Sequence, residues 1–130
     1  MNESKQKIVL FWVLVMVGIV VHCIGDILPI FWGVDIAVDN LQEAPASMII
    51  IMMVVCYILP LAGILSTVYG KGRCWAVTNS VLAIVMALFS LAHCSELFMA
   101  FSYGKLFSLP FVLLVSLLLL YESWRHMKSL

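Results

Sequence analysis

Two short stretches of this sequence place a histidine and a carboxylate one helical turn apart within apolar segments. His22 precedes Asp26 by four residues, and His93 precedes Glu96 by three. Both spacings put the two side chains on one face of an α-helix. Ionisable groups at membrane depth are costly and by default mark a functional site. These four residues are therefore the candidate site of the protein.

The residues alone leave four kinds of chemistry open at this site. The histidines and carboxylates could hydrogen-bond to one another and hold two helices together. They could bind a proton or a small solute in an outward-facing cavity, because histidine titrates near physiological pH. Two imidazoles and two carboxylates are also ligands that Zn²⁺ accepts. A bis-histidine haem would need the rings of His22 and His93 to oppose each other across a bundle. No cofactor is predicted, and zinc and haem are the two that these residues could hold.

The composition requires an environment other than water around most of the chain. The sequence is 65% hydrophobic and only 11% charged, whereas a soluble domain is nearer half apolar and a quarter charged. We therefore predict an integral membrane protein whose first partner is the lipid bilayer. Equal numbers of basic and acidic residues give no support to nucleic acid as a partner. The four cysteines form no C-x-x-C pair, so the sequence gives no sign of thiol–disulfide exchange.

Four apolar stretches are long enough to cross a bilayer, which takes about 20 apolar residues in a helix. They cover residues 8–28, 46–68, 75–98 and 106–121. The predicted fold is all-α, a single membrane domain built as a bundle of four transmembrane helices. No small-residue cleavage site follows the first stretch, so we interpret it as a retained helix rather than a secretory signal.

The basic residues predict the orientation of the four helices. All but one of them fall on the side of the two termini: Lys5, Lys7, Lys71, Arg73, Arg125 and Lys128. Positive residues stay in the cytoplasm, so both termini are predicted to be cytoplasmic and the loop at 34–44 to lie outside. His22 is roughly 22 Å along the helix from Lys7, at about 1.5 Å per residue. Both histidines should therefore lie in the outer part of the membrane.

Small residues indicate how the helices pack. The third stretch carries such residues at steps of four and three: Ala76, Ser80, Ala83, Ala87, Ser90 and Cys94. In lipid, small residues let helix backbones approach closely. In the first stretch His22 lies between Gly18 and Gly25 on one face, and His93 lies beside the small-residue face of the third stretch. Both side chains are therefore predicted to point into the bundle. The fourth stretch, with four leucines at 117–120, is expected to be the most lipid-exposed.

Pro60 lies in the middle of the second stretch. A proline there cannot donate to the carbonyl of Cys56 and is expected to kink the helix. We expect the freed carbonyl to widen the bundle locally or to attract a polar partner such as Ser66, Thr67 or a hydroxyl of a neighbouring helix.

In outline the chain resembles small bacterial four-helix inner-membrane proteins, among them DoxX-like proteins and families with no assigned function. The likeness rests on the opening Phe11-Trp12-Val13-Leu14-Val15-Met16, on Gly25-Asp26-Ile27-Leu28, on the basic turn at 69–73 and on the tail at 121–128. It implies a four-helix protein of the bacterial inner membrane. It carries over no catalytic residue.

These observations favour a non-enzymatic membrane protein. It would bind or pass a small solute through an outer-leaflet pocket near His22, Asp26, His93 and Glu96, or serve as a small membrane subunit or scaffold. A homo-oligomer or a larger membrane complex is compatible with that role. The alternative is a metal- or haem-binding redox protein that uses His22 and His93.

Overall fold

The computed structural model of this protein describes residues 1–36 and 45–130, and within them the chain is all helical. Helix α1 spans Glu3–Ile27 and is followed by a 3₁₀ turn, Leu28–Trp32; α2 spans Ala46–Tyr69, α3 Gly72–Cys94 and α4 Tyr103–Lys128. A single helical turn, Glu96–Met99, follows α3. Most of the predicted outer loop, including Asp39, lies outside the described residues.

Within the described residues, four helices are long and apolar enough to cross a membrane: Glu3–Trp32, Ala46–Tyr69, Gly72–Met99 and Tyr103–Lys128. The first and the last helix are longer than the apolar stretches predicted for them: α1 begins at Glu3, and α4 continues to Lys128. Asn2 caps α1, since its side chain accepts a hydrogen bond from the Lys5 backbone N–H at 3.0 Å. At the other end of the chain, Arg125, His126 and Lys128 lie in the last turn of α4. Positive charge there is favourable beside the negative end of the helix dipole. Hydropathy located the apolar part of each helix, whereas side-chain caps mark the beginnings of α1 and α4, at Asn2 and Ser102.

The helices pack in a ring in which each contacts the one before and after it, and α4 closes the ring against α1. The end of the bundle that holds both chain termini is called here the terminal end. Lys5 Nζ donates to the Gly70 carbonyl there at 2.7 Å, which ties α1 to the end of α2. The opposite end, which holds the 3₁₀ turn and Ser102, is called the loop end.

Helix α4 is at the centre of the packing, so the expectation that it is the most lipid-exposed helix is wrong. It packs extensively against both α1 and α3. Its buried residues recur every three or four positions along the helix, and some of them are adjacent pairs. They are Ser108, Leu109, Val112, Val115, Ser116, Leu119, Glu122, Ser123 and His126. The serines allow close approach, and Ser116 Oγ lies 2.9 Å from Ser90 Oγ of α3. Leu117 and Leu118 point outward from this face.

Helix α2 is the most peripheral of the four. In its described first half, residues 46–58, no residue is buried. A π-helical turn, Val54–Ile58, interrupts the α-helix immediately before Pro60, and the Leu59 N–H bonds the Val54 carbonyl. The proline therefore lies at the second position of a new α-helical segment, Leu59–Tyr69, where its missing N–H is tolerated. A π turn thus precedes Pro60, and the kink of the helix stays a prediction.

The hydroxyl groups expected near the Cys56 carbonyl bind elsewhere. Ser66 Oγ and Thr67 Oγ1 both donate to the Gly63 carbonyl, at 2.9 and 2.7 Å. That part of the expectation is wrong, because a hydroxyl three or four residues further along a helix reaches the carbonyl of its own preceding turn.

A polar cluster at the terminal end joins all four helices. Asn79 of α3 accepts a hydrogen bond from Trp12 Nε1 of α1 at 2.9 Å and donates one to Ser123 Oγ of α4 at 2.9 Å. Thr67 Oγ1 of α2 lies 3.2 Å from the same Asn79 oxygen. Position 63 next to the Trp12 indole ring must be glycine, because a Cβ there would overlap the ring. We call these residues the Asn79 cluster.

Candidate functional site

The two predicted histidines meet at the loop end. His22 Nε2 of α1 and His93 Nε2 of α3 are 3.0 Å apart, and their rings form an edge-to-face pair with centroids 4.9 Å apart. His22 is buried and His93 is mostly so. The expectation that both side chains point into the bundle is therefore confirmed. They meet across the ring, since α1 and α3 are not neighbours in it.

Three neighbouring features position the two rings. The poorly packed first half of α2 leaves the centre of the loop end to the other three helices. Gly25 and Gly104 face each other so closely that a Cβ on Gly104 would lie 3.6 Å from the Gly25 backbone, which brings α4 against α1 at this level. Phe89, one turn before His93, stacks on the His93 ring with 5.4 Å between centroids.

The two predicted carboxylates each reach a histidine. Asp26 Oδ2 lies 3.4 Å from His22 Nε2, and Glu96 Oε1 lies 3.0 Å from His93 Nδ1. All four predicted site residues are thus brought together. Glu96 also faces Lys105, with 3.6 Å between Oε2 and Nζ.

Sequence reasoning missed two residues of this cluster, and both come from α4. Ser108 Oγ is 3.1 Å from His22 Nδ1, and Lys105 faces Glu96. Ser108, Ser116 and Ser123 recur in the sequence at steps of eight and seven, and this small-residue pattern would have indicated it. Lys105 was the single basic residue on the predicted outer side, which was the available signal for it.

Two arrangements of hydrogen atoms satisfy this cluster. In the first, Ser108 donates to His22 Nδ1, His22 Nε2–H donates to His93 Nε2, and His93 Nδ1–H donates to Glu96. In the second, Ser108 donates to the Gly104 carbonyl, which its Oγ already reaches at 2.8 Å. His22 then donates from Nδ1 to Ser108, and its Nε2 lone pair faces that of His93. The second arrangement needs a cation between the two Nε2 atoms, either a proton or a metal ion.

The second arrangement has the form of a metal site. A metal-binding histidine normally donates its other ring N–H to a carboxylate, carbonyl or hydroxyl oxygen. His93 Nδ1 has Glu96 for this purpose, and His22 Nδ1 has Ser108. His22, His93 and Glu96 also offer ligand atoms that all lie within 4.8 Å of one another. The residues present therefore fit a zinc-class ion.

A small cavity of about 20 Å³ adjoins the two rings. By this measure a water needs about 10–15 Å³, so the cavity holds about one water-sized group. It is lined by Ile19, His22, Cys23, Met52, Cys56, Phe89, Ser90, His93, Leu109 and Val112. Cys56 thus lies beside the histidine pair.

Fold and site together define a class: a bundle of four helices long and apolar enough to cross a membrane, with a histidine–carboxylate cluster at one end. Comparisons with protein-family models, with known proteins and with solved structures found no match. The resemblance to DoxX-like proteins therefore stays a prediction.

Proposed function

We propose that this chain is a non-enzymatic, multi-pass membrane protein that binds a divalent transition-metal ion of the zinc class between His22 and His93. The observation that carries the proposal is the 3.0 Å separation of the two Nε2 atoms, with an oxygen partner at each Nδ1. Such outer partners fix the ring orientation and the tautomer that a metal requires. The small solute expected from the sequence is, in this proposal, the ion itself.

The two imidazoles supply two ligands, and a carboxylate supplies the third. The third ligand is Asp26, whose Oδ2 is 3.4 Å from His22 Nε2, while Glu96 remains the oxygen partner of His93 Nδ1. A catalytic or transport zinc site typically keeps one position open to water or another group. The adjoining cavity has room for one such group. Lys105 offsets part of the carboxylate charge.

Binding is proposed rather than passage through the bundle. Val15, Met86 and Leu119 are fully buried in the layer between the two ends. A hydrated ion crossing that layer would lose its ligands in an apolar medium.

A bis-histidine haem is the weaker alternative. Its iron would have to lie between the two nitrogens, with the porphyrin plane separating the rings. At 3.0 Å the two nitrogens are in direct contact, so haem binding requires the helices to move apart. A single small ion requires a shift of a few tenths of an ångström, because zinc–nitrogen bonds are about 2.0–2.1 Å long.

Zinc binding to the protein purified in a non-ionic detergent tests the proposal. Calorimetric titration should give one zinc per chain, and elemental analysis should find the same ratio after dialysis. His22→Ala and His93→Ala should each weaken binding at least 100-fold, which is about 2.8 kcal/mol. His126→Leu, which removes the third histidine at the opposite end, is the matched control and should leave zinc affinity unchanged.

Two results would count against the zinc site. Wild-type affinity in the well-folded His22→Ala and His93→Ala variants would overturn it. An intense haem absorption band in the purified wild-type protein, lost in both variants, would favour the haem alternative instead. Cobalt gives a second measurement, since Co²⁺ bound by nitrogen and oxygen ligands in four-coordinate geometry absorbs visible light.

We propose further that both termini are cytoplasmic and that the membrane is the bacterial inner membrane. The basic residues at the terminal end support the first point, and the resemblance to small bacterial inner-membrane proteins supports the second. In a variant without native cysteines, Asp39→Cys should react with an impermeant maleimide from outside the cell. Lys71→Cys should react only after permeabilisation. Labelling of Asp39→Cys from the cytoplasmic side alone would reverse the orientation.

A further inference from the structure

A second cavity lies at the terminal end, on the far side of the Asn79 cluster from the histidine pair. Its volume is about 110 Å³, several times that of the cavity beside His22. All four helices contribute to its wall: Asn2, Lys5, Ile8, Ser66, Thr67, Gly70, Gly72, Trp75, Ala76, Asn79, His126 and Leu130. No acidic side chain is among these lining residues.

The beginning of α3 forms one side of this cavity. Lys71 precedes the helix, and its side chain makes no capping hydrogen bond. The first backbone N–H groups of α3, next to Gly72 and Trp75 in the cavity wall, therefore lack a side-chain acceptor. Free N–H groups and the positive end of a helix dipole together favour an anion.

Lys5 places a full positive charge at the same cavity. One of its Nζ protons goes to the Gly70 carbonyl at 2.7 Å, which leaves two for another acceptor. No carboxylate in the described part of the chain pairs with Lys5. Two acidic side chains at this end form ion pairs with other basic residues. Glu3 Oε1 lies 2.6 Å from Lys7 Nζ, and Glu122 Oε2 lies 3.1 Å from a guanidinium nitrogen of Arg125.

His126 is the independent observation that points to a ligand. It is only 6% exposed and lines the cavity, yet its Nδ1 has no hydrogen-bond partner among the described residues. A buried polar atom without a partner is costly and rare in folded proteins. The His126 ring forms part of the cavity wall, so a ligand oxygen that reached Nδ1 would satisfy it.

We propose that this cavity binds a phosphate-class oxyanion, with Lys5, His126 and the first N–H groups of α3 as the donors. A tetrahedral anion suits a site that offers donors from several directions and no acidic side chain among its lining residues. Free inorganic phosphate and the headgroup of an anionic phospholipid share this chemistry. The site is separate from the zinc site, so either proposal can fail without the other.

Two measurements on the full-length protein in non-ionic detergent distinguish the sources of the anion. Line broadening of the ³¹P signal of inorganic phosphate reports the free ion. Native mass spectrometry after exposure to phosphatidylglycerol, with phosphatidylcholine as the neutral comparison, reports the lipid. The wild type should bind at least one of the two anions saturably, and chloride at equal ionic strength should not compete.

Variants identify the site. Lys5→Gln and His126→Leu should each weaken binding of that anion at least tenfold. Lys128→Gln is the matched control, because Lys128 is a basic residue of the same end that lies over the Trp124 ring instead of lining the cavity. His22→Ala, at the opposite end, should also leave anion binding unchanged.

The absence of saturable binding of both anions by the wild type would overturn the proposal, whatever the variants do. Equal binding by wild type, Lys5→Gln and His126→Leu would overturn it as well, since the anion would then lie elsewhere.

Discussion

The Asn79 cluster and the histidine cluster are both buried polar groups, but they differ in how they are held. Asn79 joins all four helices, and its partners Trp12 and Ser123 are fully enclosed. The histidine cluster takes its groups from three helices, and its carboxylates Asp26 and Glu96 remain about 40% exposed. One cluster is closed and neutral, and the other is open on one side and carries charge.

This difference separates a structural polar cluster from the proposed binding site. The amide of Asn79 has one arrangement of hydrogen bonds, so the cluster specifies one packing of the helices. The histidine pair has two consistent arrangements, and the second leaves two lone pairs facing each other. To bind an ion, the site needs this second arrangement, in which the Nε2 lone pairs of both histidines are free. We therefore expect changes at the Asn79 cluster to alter stability, and changes at the histidine cluster to alter binding.

The largest stability effect is expected at Asn79. Asn79→Leu removes two side-chain hydrogen bonds and leaves Trp12 Nε1 without its acceptor. The free energy of unfolding in detergent should fall by about 2–3 kcal/mol. Thr78→Val is the matched control, because Thr78 bonds only the carbonyl of Cys74 in its own helix, and it should change stability by less than about 0.5 kcal/mol. Equal losses in the two variants would contradict the structural role of the cluster.

The two ends should also respond differently to an added methyl group. Gly63→Ala pushes a Cβ into the Trp12 ring and should destabilise the protein by about 1–3 kcal/mol. Gly25→Ala, at the loop end, meets only the Gly104 Cα at 3.8 Å, which is an ordinary contact, and should be nearly neutral. Thermal unfolding of both variants measures the contrast. A larger loss for Gly25→Ala would show that the loop end is the tighter one.

Ser108→Ala should reduce zinc affinity while leaving the fold in place. It removes the oxygen that holds His22 Nδ1, and loss of such an outer partner typically costs 10–100-fold in metal affinity. Ser95→Ala is the control, since the Ser95 hydroxyl bonds the carbonyl of Ala92 in its own turn and not a histidine ring. Unchanged zinc affinity in Ser108→Ala would mean that Ser108 does not orient the ring.

The smallest effect is expected at Lys105. Lys105→Gln removes a positive charge 3.6 Å from Glu96 and should raise zinc affinity about threefold, because the charge repels the ion through a partly solvated medium. Calorimetry at low and at high salt would measure it, and the gain should shrink as salt screens the charge. A loss of affinity would mean that Lys105 acts mainly by holding Glu96 in position.

The sequence determined the features that depend on spacing within one helix. Long apolar runs predict four helices, and the steps from His22 to Asp26 and from His93 to Glu96 place each pair on one helical face. These relations follow from 3.6 residues per turn and need no knowledge of the neighbouring helices. The small residues of α3 were likewise correctly predicted to face inward, and five of the six are buried.

Only the tertiary structure decided which helices meet. Hydropathy cannot distinguish a leucine that faces lipid from one that faces protein, since both surroundings are apolar. For that reason α4 was predicted to be peripheral although it is central, and Ser108 and Lys105 were missed. The meeting of His22 with His93 depends on the close approach of α1 and α4 at Gly25 and on the loose packing of the first half of α2. Those contacts join positions far apart in the chain, and they are set by how the helix surfaces fit together.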